Sequence, residues 1–258
     1  MTKRQDMIKF WSERAREYDR DPRANTNDVW LREIEINYVD HLIKLHSAQR
    51  ALDFGCANGF STARLAQANP SVNFLGIDIN PDMIKVASGL PAEKQLSNLA
   101  FRQGNVLEDE FTEKFDFIYG IRVFQNIESP EIQKTVFDKL HQCLSRNGRF
   151  LYIESYLDGY TRINEDRVNL GLTPLPIHPH LTLLTDAFDD YVAKKMTLLE
   201  TSSLSSSYYL ITRLVYSYLA KMKGEPIDYN HPLHQIAAMV PQVGAYGPQR
   251  ANLFQKTA

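Results

Sequence analysis

Residues 51–59 read Ala51-Leu-Asp-Phe-Gly-Cys-Ala-Asn-Gly59, and this stretch decides the fold class. An apolar run of strand character, Ala51–Phe54, meets two glycines four positions apart and passes into a helical pattern over Gly59–Gln67. Gly55 and Gly59 let the chain turn sharply and bring its backbone close to a ligand. The helix that follows opens with N–H groups that have no partner inside it. Two spaced glycines alone are a weak signal. They gain force from Gly76-Ile-Asp78, where a second apolar run, Val72–Ile77, ends in an acid 19 residues after Gly59. An acid at that place accepts hydrogen bonds from the hydroxyls of a ribose.

Outward from this centre, strands alternate with helices. Further strands are expected at Leu99–Arg102, Phe115–Tyr119 and Phe150–Ser155, the last after a turn at Asn147-Gly148. Asn80-Pro81 and Ser129-Pro130 each open a helix, as a capping residue followed by proline does. The second of these carries Ile132, Val136, Leu140 and Cys143 along one face. Upstream, residues 3–19 place Ile8, Trp11, Ala15 and Tyr18 at helical spacing, and 28–45 do the same with Trp30, Ile34, Tyr38, Leu42 and Leu45. Such alternation predicts a parallel sheet with helices on both faces and a ligand at the carboxyl ends of the strands. Beyond residue 156 the pattern loosens. Residues 157–195 hold turn signals and a helix near 185–194, 196–204 reads as a strand, 208–222 as a helix, 224–247 as a proline-bounded loop, and 249–255 as a last strand.

Composition narrows the function classes. The chain has 258 residues with a net charge of −2, which excludes a broad electrostatic surface for nucleic acid. Cys56 and Cys143 are its two cysteines, too few for a disulfide framework or a cysteine-only metal site, and they point to a reducing, cytoplasmic setting. The start, MTKRQDMIKFW, lacks the apolar core of a signal peptide. The most apolar run, Tyr208 to Ala220, is interrupted by Arg213 and falls short of the roughly 20 residues that span a bilayer.

The turn, its acid and the segments that follow resemble the class I S-adenosylmethionine-dependent methyltransferases. Their D/E-x-G-x-G-x-G turn is matched by Asp53, Gly55, Ala57 and Gly59, with alanine in place of the middle glycine. Gly104-Asn105-Val106 stands where the family usually has Gly-Asp, and Trp11-x-x-x-Ala15-x-x-Tyr18-Asp19 is similar to a lid helix of many members. The phosphate fingerprint G-x-G-x-x-G is absent, which disfavours NAD. The resemblance implies a Rossmann-like α/β fold with a mostly parallel seven-stranded sheet and S-adenosyl-L-methionine as cofactor. It implies one domain over 1–258, divided into a helical lid (1–48), a cofactor-binding core (49–155) and acceptor-covering insertions with the last strands (156–258). The implied cofactor contacts are Tyr18, Asp53, Gly55, Cys56, Ala57, Gly59, Asp78, Ile79, Asn105, Val106 and Ile121, with Asn105 meeting the adenine amino group. Cys56 itself reads as a small buried side chain rather than a nucleophile.

The acceptor side is read from the ends of the fourth and fifth strands. Arg122, Asn126, Tyr156 and Arg167 are candidates to hold a substrate, since a guanidinium grips a carboxylate or phosphate. An acceptor hydroxyl or ammonium must lose a proton, whereas a carboxylate need not. His180 is the first candidate base, His178 the second and Glu154 a third catalytic candidate. His178 and His180 alone make too weak a set for a metal, and none is expected. The function expected is methyl transfer to a small polar molecule, at oxygen, of saccharide or secondary-metabolite type. N-methylation and a non-catalytic cofactor-binding scaffold are the alternatives. No N/D-P-P-Y/F tetrapeptide follows the fourth strand, which disfavours nucleic-acid bases. The partners expected are a small-molecule acceptor and a second copy of the chain, with no nucleic acid and no membrane.

Overall fold

The computed structural model describes residues 2–257. Its centre is one seven-stranded sheet in the order β3-β2-β1-β4-β5-β7-β6. The strands are β1 (Arg50–Phe54), β2 (Asn73–Asp78), β3 (Leu99–Gln103), β4 (Phe115–Ile121), β5 (Leu144–Ser155), β6 (Met196–Ser202) and β7 (Gln249–Lys256). β1 to β5 pair in parallel, while β7 runs antiparallel to both β5 and β6. The strand order reverses between β1 and β4, and ligands of open α/β sheets bind beyond such a switch point.

Helices cover both faces. In chain order they are α1 (Lys3–Tyr18), α2 (Val29–Leu45), α3 (Phe60–Ala68), α4 (Pro81–Ala87), α5 (Leu90–Glu93) and α6 (Pro130–Cys143), then α7 (Leu157–Asn169) and α8 (Asp186–Ala193). A continuous helical rod follows, made of α9 (Ser206–Tyr209), a π-helical stretch (Leu210–Tyr216) and α10 (Ser217–Lys223), and α11 (Pro232–Met239) is the last helix. The caps expected from sequence are present: the Asn80 side chain accepts from Met83 N and that of Ser129 from Ile132 N. One apolar cluster joins Val39, Leu42, Ala63, Leu65 and Phe117 on one face, and a second joins Ile118, Phe124, Phe137, Phe150 and Phe188 on the other. Among the described residues, no helix is long and apolar enough to cross a membrane.

Three local expectations change. Asn147-Gly148 is a bulge inside β5 rather than a turn before it: Leu144 pairs with Phe115, Arg149 with Phe117, and Asn147 takes φ 60°. The stretch after β5 begins with a helix, α7, whose buried side is only Gly159, Ile163 and Arg167. That stripe has a single apolar side chain, so its periodicity is silent in sequence. The proline-bounded loop contains α11, with Pro232 at its first helical position.

Candidate active site

A cavity of about 310 Å³ opens at the carboxyl ends of β1, β2 and β4, roofed by α1. Its volume lies at the lower end of the range for small-molecule sites. Nine of the expected cofactor contacts line it: Asp53, Gly55, Cys56, Ala57, Asp78, Ile79, Asn105, Val106 and Ile121.

The turn after β1 is clamped to its neighbour, because the N–H groups of Gly55 and Cys56 both donate to Ile77 O, at 2.8 and 3.0 Å. Gly55 has φ 77°, and a Cβ there would stand 2.6 Å from a Val123 methyl. Ala57, which replaces the family's middle glycine, keeps a left-handed φ of 49°. An L residue held there costs roughly 1–2 kcal/mol, so the turn is held by what surrounds it. Asp78 is part of that hold: one carboxylate oxygen accepts from Ala57 N at 2.8 Å and the other from Asn80 N at 2.8 Å. Each oxygen retains a lone pair for a ligand. Burial pushes the Asp78 carboxyl above its usual range, against these backbone donors. Burial likewise pushes Asp53 up to about 6, against the Thr62 hydroxyl that donates to it at 2.6 Å.

At the opposite end, Asn105 Oδ1 accepts from Leu107 N at 3.1 Å, and its Nδ2 is buried with no partner. The free group is therefore a donor. It suits a ring nitrogen of adenine rather than the exocyclic amino group, which is itself a donor. Two expected contacts lie off the cavity wall. Gly59 caps α3 with φ 75°, and a Cβ there would strike Phe101 at 2.6 Å, so it serves helix packing. Tyr18 packs with Trp11 and Ala57 beneath the Arg14 guanidinium, 4.7 Å from its ring centre.

On the acceptor side, Arg122 and Asn126 line the cavity. Arg122 has φ 58°, and its Nε lies 3.2 Å from Glu35 Oε1, a wholly buried carboxylate on α2. Asn126 donates to Arg122 O at 2.8 Å and accepts from the Trp11 indole at 3.2 Å, which docks the roof helix.

The other acceptor-side and catalytic candidates are held elsewhere. Glu154 is wholly buried, and its carboxylate accepts from the N–H groups of Val123 (2.7 Å), Phe124 (2.8 Å) and Gln125 (3.1 Å), tying down the turn after β4. Burial pushes that carboxyl up to about 8, against the three donors. The Tyr156 hydroxyl bonds Asp189 at 2.6 Å and accepts from Asn252 at 2.7 Å. Arg167 donates to Thr173 O at 2.8 Å and to Arg213 O, pinning α7 to the π-helical stretch. His180 is buried against Phe10 of α1, ring centres 4.9 Å apart, with His178 stacked on it at 5.5 Å. Burial lowers the His180 pKa. None of these five side chains lines the cavity. Among the described residues, no three His, Cys, Asp or Glu side chains converge as a metal site.

Several lining residues had no sequence signal: Arg4, Asn25, Arg32, Ser61 and Gln125. Arg32 is a charged residue on the buried face of α2, beside Glu35. Its helix packs on α3 and β4, which are distant in sequence, so no local spacing marks it.

The profile of the family described as "Methyltransferase domain" matches residues 45–197, more than half of the chain. The chain belongs to the class I S-adenosylmethionine-dependent methyltransferase family. Among curated relatives it is similar to release factor glutamine methyltransferase of Aliivibrio fischeri, 33% identical over 81 residues covering 31% of this chain and 28% of that protein. It is also similar to malonyl-[acyl-carrier protein] O-methyltransferase of Anoxybacillus flavithermus, 28% identical over 154 residues covering 59% of this chain and 53% of that protein. These matches span about half or less of the relatives' length. Among solved structures the fold is similar to N-methyltransferase NodS from Bradyrhizobium japonicum in complex with S-adenosyl-L-homocysteine, with a TM-score of 0.61, 15% identity and 100% of both chains covered.

Proposed function

We propose that this methyltransferase moves the methyl group of S-adenosylmethionine to an oxygen of a small polar acceptor. The observation that carries the reading is one cavity bordered both by the glycine turn with Asp78 and by Arg122 with Asn126. When bound, S-adenosylmethionine supplies a methyl group already activated on a sulfonium. The chain's own residues bind and orient. Asp78 accepts from the ribose hydroxyls, and the Asn105 amide donates to the adenine ring. The unpartnered Asn105 donor fits that group. Ile121 and Val123 give the cavity an apolar wall, and the Trp11 contact to Asn126 closes the roof against water.

Arg122 bears on the choice of acceptor. Arg122 shares the Glu35 carboxylate with Arg32, two cations against one anion, so this part of the wall keeps a positive charge that repels an ammonium and attracts an anionic oxygen. Among the described residues no imidazole lines the cavity, so an oxygen already ionised at neutral pH suits it, a carboxylate above all, because no base is then required. A relative named malonyl-[acyl-carrier protein] O-methyltransferase and one named trans-aconitate 2-methyltransferase are in keeping with this reading. Residues 1–48 act as the lid, 49–155 as the cofactor-binding core and 156–258 as the acceptor cover of one domain. The two free, buried thiols fit a cytoplasmic setting.

The test is transfer of labelled methyl from S-adenosylmethionine to a panel of carboxylates, saccharide hydroxyls and amines. Alkaline hydrolysis separates a methyl ester from an ether or amine product. Label in oxygen products supports the reading, and label only in amines moves it to N-methylation. Cofactor binding with no transfer to any class leaves the scaffold reading in its place.

A further inference from the structure

The helical rod from Ser206 to Lys223 is apolar on both sides. Its inner side, with Tyr208, Leu214, Tyr216 and Ala220, is buried, and the rod packs on α7 and α11. Its outer side carries Val215, Tyr218, Leu219 and Met222, which are 49%, 38%, 43% and 70% exposed. From Ser206 to Ala220 the only charged residue is Arg213, and its guanidinium turns inward to Asp28. A helix lying on a protein surface turns charged and polar side chains to water, whereas one that is apolar all round is buried. The outer side therefore lacks its cover. The cavity makes no use of this rod, the most apolar run of the chain, since none of its residues lines the wall.

The spacing of the stripe says what covers it. The half-buried Ile211 and the exposed Val215, Tyr218 and Met222 follow one another at intervals of four, three and four residues. That is the narrow seam by which one helix pairs with another, rather than the broad face of a helix lying in a lipid surface. A lipid surface would also call for basic side chains along the flanks. Lys221 and Lys223 stand at one end only, with Glu225 and Asp228 just beyond them. The seam is complementary to itself when reversed. Laid antiparallel against its own copy, Ile211 meets Met222 and Val215 meets Tyr218, a smaller side chain against a larger one each time. The lysines of the two copies then lie at opposite ends, whereas a parallel pair would set Lys221 beside Lys221 at a cost in repulsion. We propose that the rod is a self-association surface, on which a second copy of this chain packs its own rod antiparallel about a two-fold axis. On its inner side the rod holds Asp28, the cap of α2, through Arg213 and the Tyr208 hydroxyl. The pairing thus braces the helix that carries Glu35 to Arg122.

Sedimentation equilibrium of the whole chain tests the pairing. A single pair of short helices buries less than the ~800 Å² per partner of a standard interface, so dimers are expected at about 10–100 µM. Val215→Glu and Tyr218→Lys each set a charge in the seam, and each should weaken association at least about tenfold. Both variants should melt as the wild type does, because neither side chain is buried within the chain. Mixed in equal amounts, the two variants should associate again. Antiparallel pairing brings their opposite charges together at one of the two contacts between positions 215 and 218 and leaves the other as in the wild type. A wild type that stays monomeric up to about 200 µM overturns the proposal, being too weak for any specific pairing. Association that neither variant weakens overturns it too, and so do variants that stay monomeric when mixed, since only a parallel pair or another surface would leave them apart. A monomeric wild type that sediments with phosphatidylcholine–phosphatidylserine vesicles, and ceases to with Val215→Glu, also overturns it and gives the face to a lipid surface.

Discussion

The two halves of the cavity are built in different ways. The half under β1, β2 and β3 is made of turns that follow strands, and its key contacts are backbone groups or side chains beside them: Gly55, Ala57, Asp78, Asn105. The half beyond β4 is made of long-range side-chain contacts, such as Arg122 on Glu35, 87 positions away in sequence. Polar residues at strand ends face the cavity in the first half. Outside the second, off its wall, Glu154, Tyr156 and Arg167 spend their polar groups on the protein itself. The lesson is that a polar residue at the end of a strand is a site residue only if the fold leaves its hydrogen bonds unspent.

Substitutions can break or sharpen this contrast. The largest effect is expected at Asp78. Asp78→Ala removes an acceptor for the ribose and should weaken S-adenosylhomocysteine at least about 100-fold, two charge-assisted hydrogen bonds being lost. Calorimetry measures it, and unchanged affinity would remove Asp78 from the ribose role. The same change frees Ala57 N and Asn80 N, so a lower melting temperature should accompany it.

Glu154→Gln comes next and should act on the fold. Above pH 8, where Glu154 is ionised, three backbone donors lose their carboxylate and one meets an amide N–H₂, for a cost of about 2–3 kcal/mol in chemical denaturation. A stable variant with turnover abolished would instead return Glu154 to a catalytic role.

The pH dependence of binding probes the first half. Burial raises the carboxyls of both Asp53, to about 6, and Asp78. Each is ionised above its raised pKa and takes up a proton as pH falls through it. An ionised carboxylate is the stronger acceptor for a donor on the ligand, so the Asp53 contribution should be full above pH 7 and affinity should fall about tenfold towards pH 5. A flat calorimetric profile from pH 7.5 to 5 would mean that the Asp53 carboxylate does not meet the ligand.

The smallest effect is expected at His180. The ring sits behind Phe10, so His180→Ala should leave turnover at neutral pH within about twofold and reduce stability by roughly 1 kcal/mol through the lost ring contact. A large drop in turnover, with the melting temperature unchanged, would show the loop delivering His180 to the acceptor after all.

The sequence by itself determined the strand-helix alternation, the glycine turn, the acid after β2 and the segment after β3. These signals are local: a turn that must reverse the chain and offer backbone needs particular residues within a few positions of each other. It also fixed the caps at Asn80 and Ser129, for the same reason. Tertiary structure decided the rest. It made Asn147-Gly148 a bulge, hid α7 behind one apolar side chain, and set Arg32 and Ser61 on the cavity wall with atoms unpaired. It sent His178 and His180 to pack on α1. Whether a polar side chain serves a ligand or the fold depends on which distant backbone groups and charges come within about 3 Å of it, and that distance is set by packing, which sequence spacing does not encode.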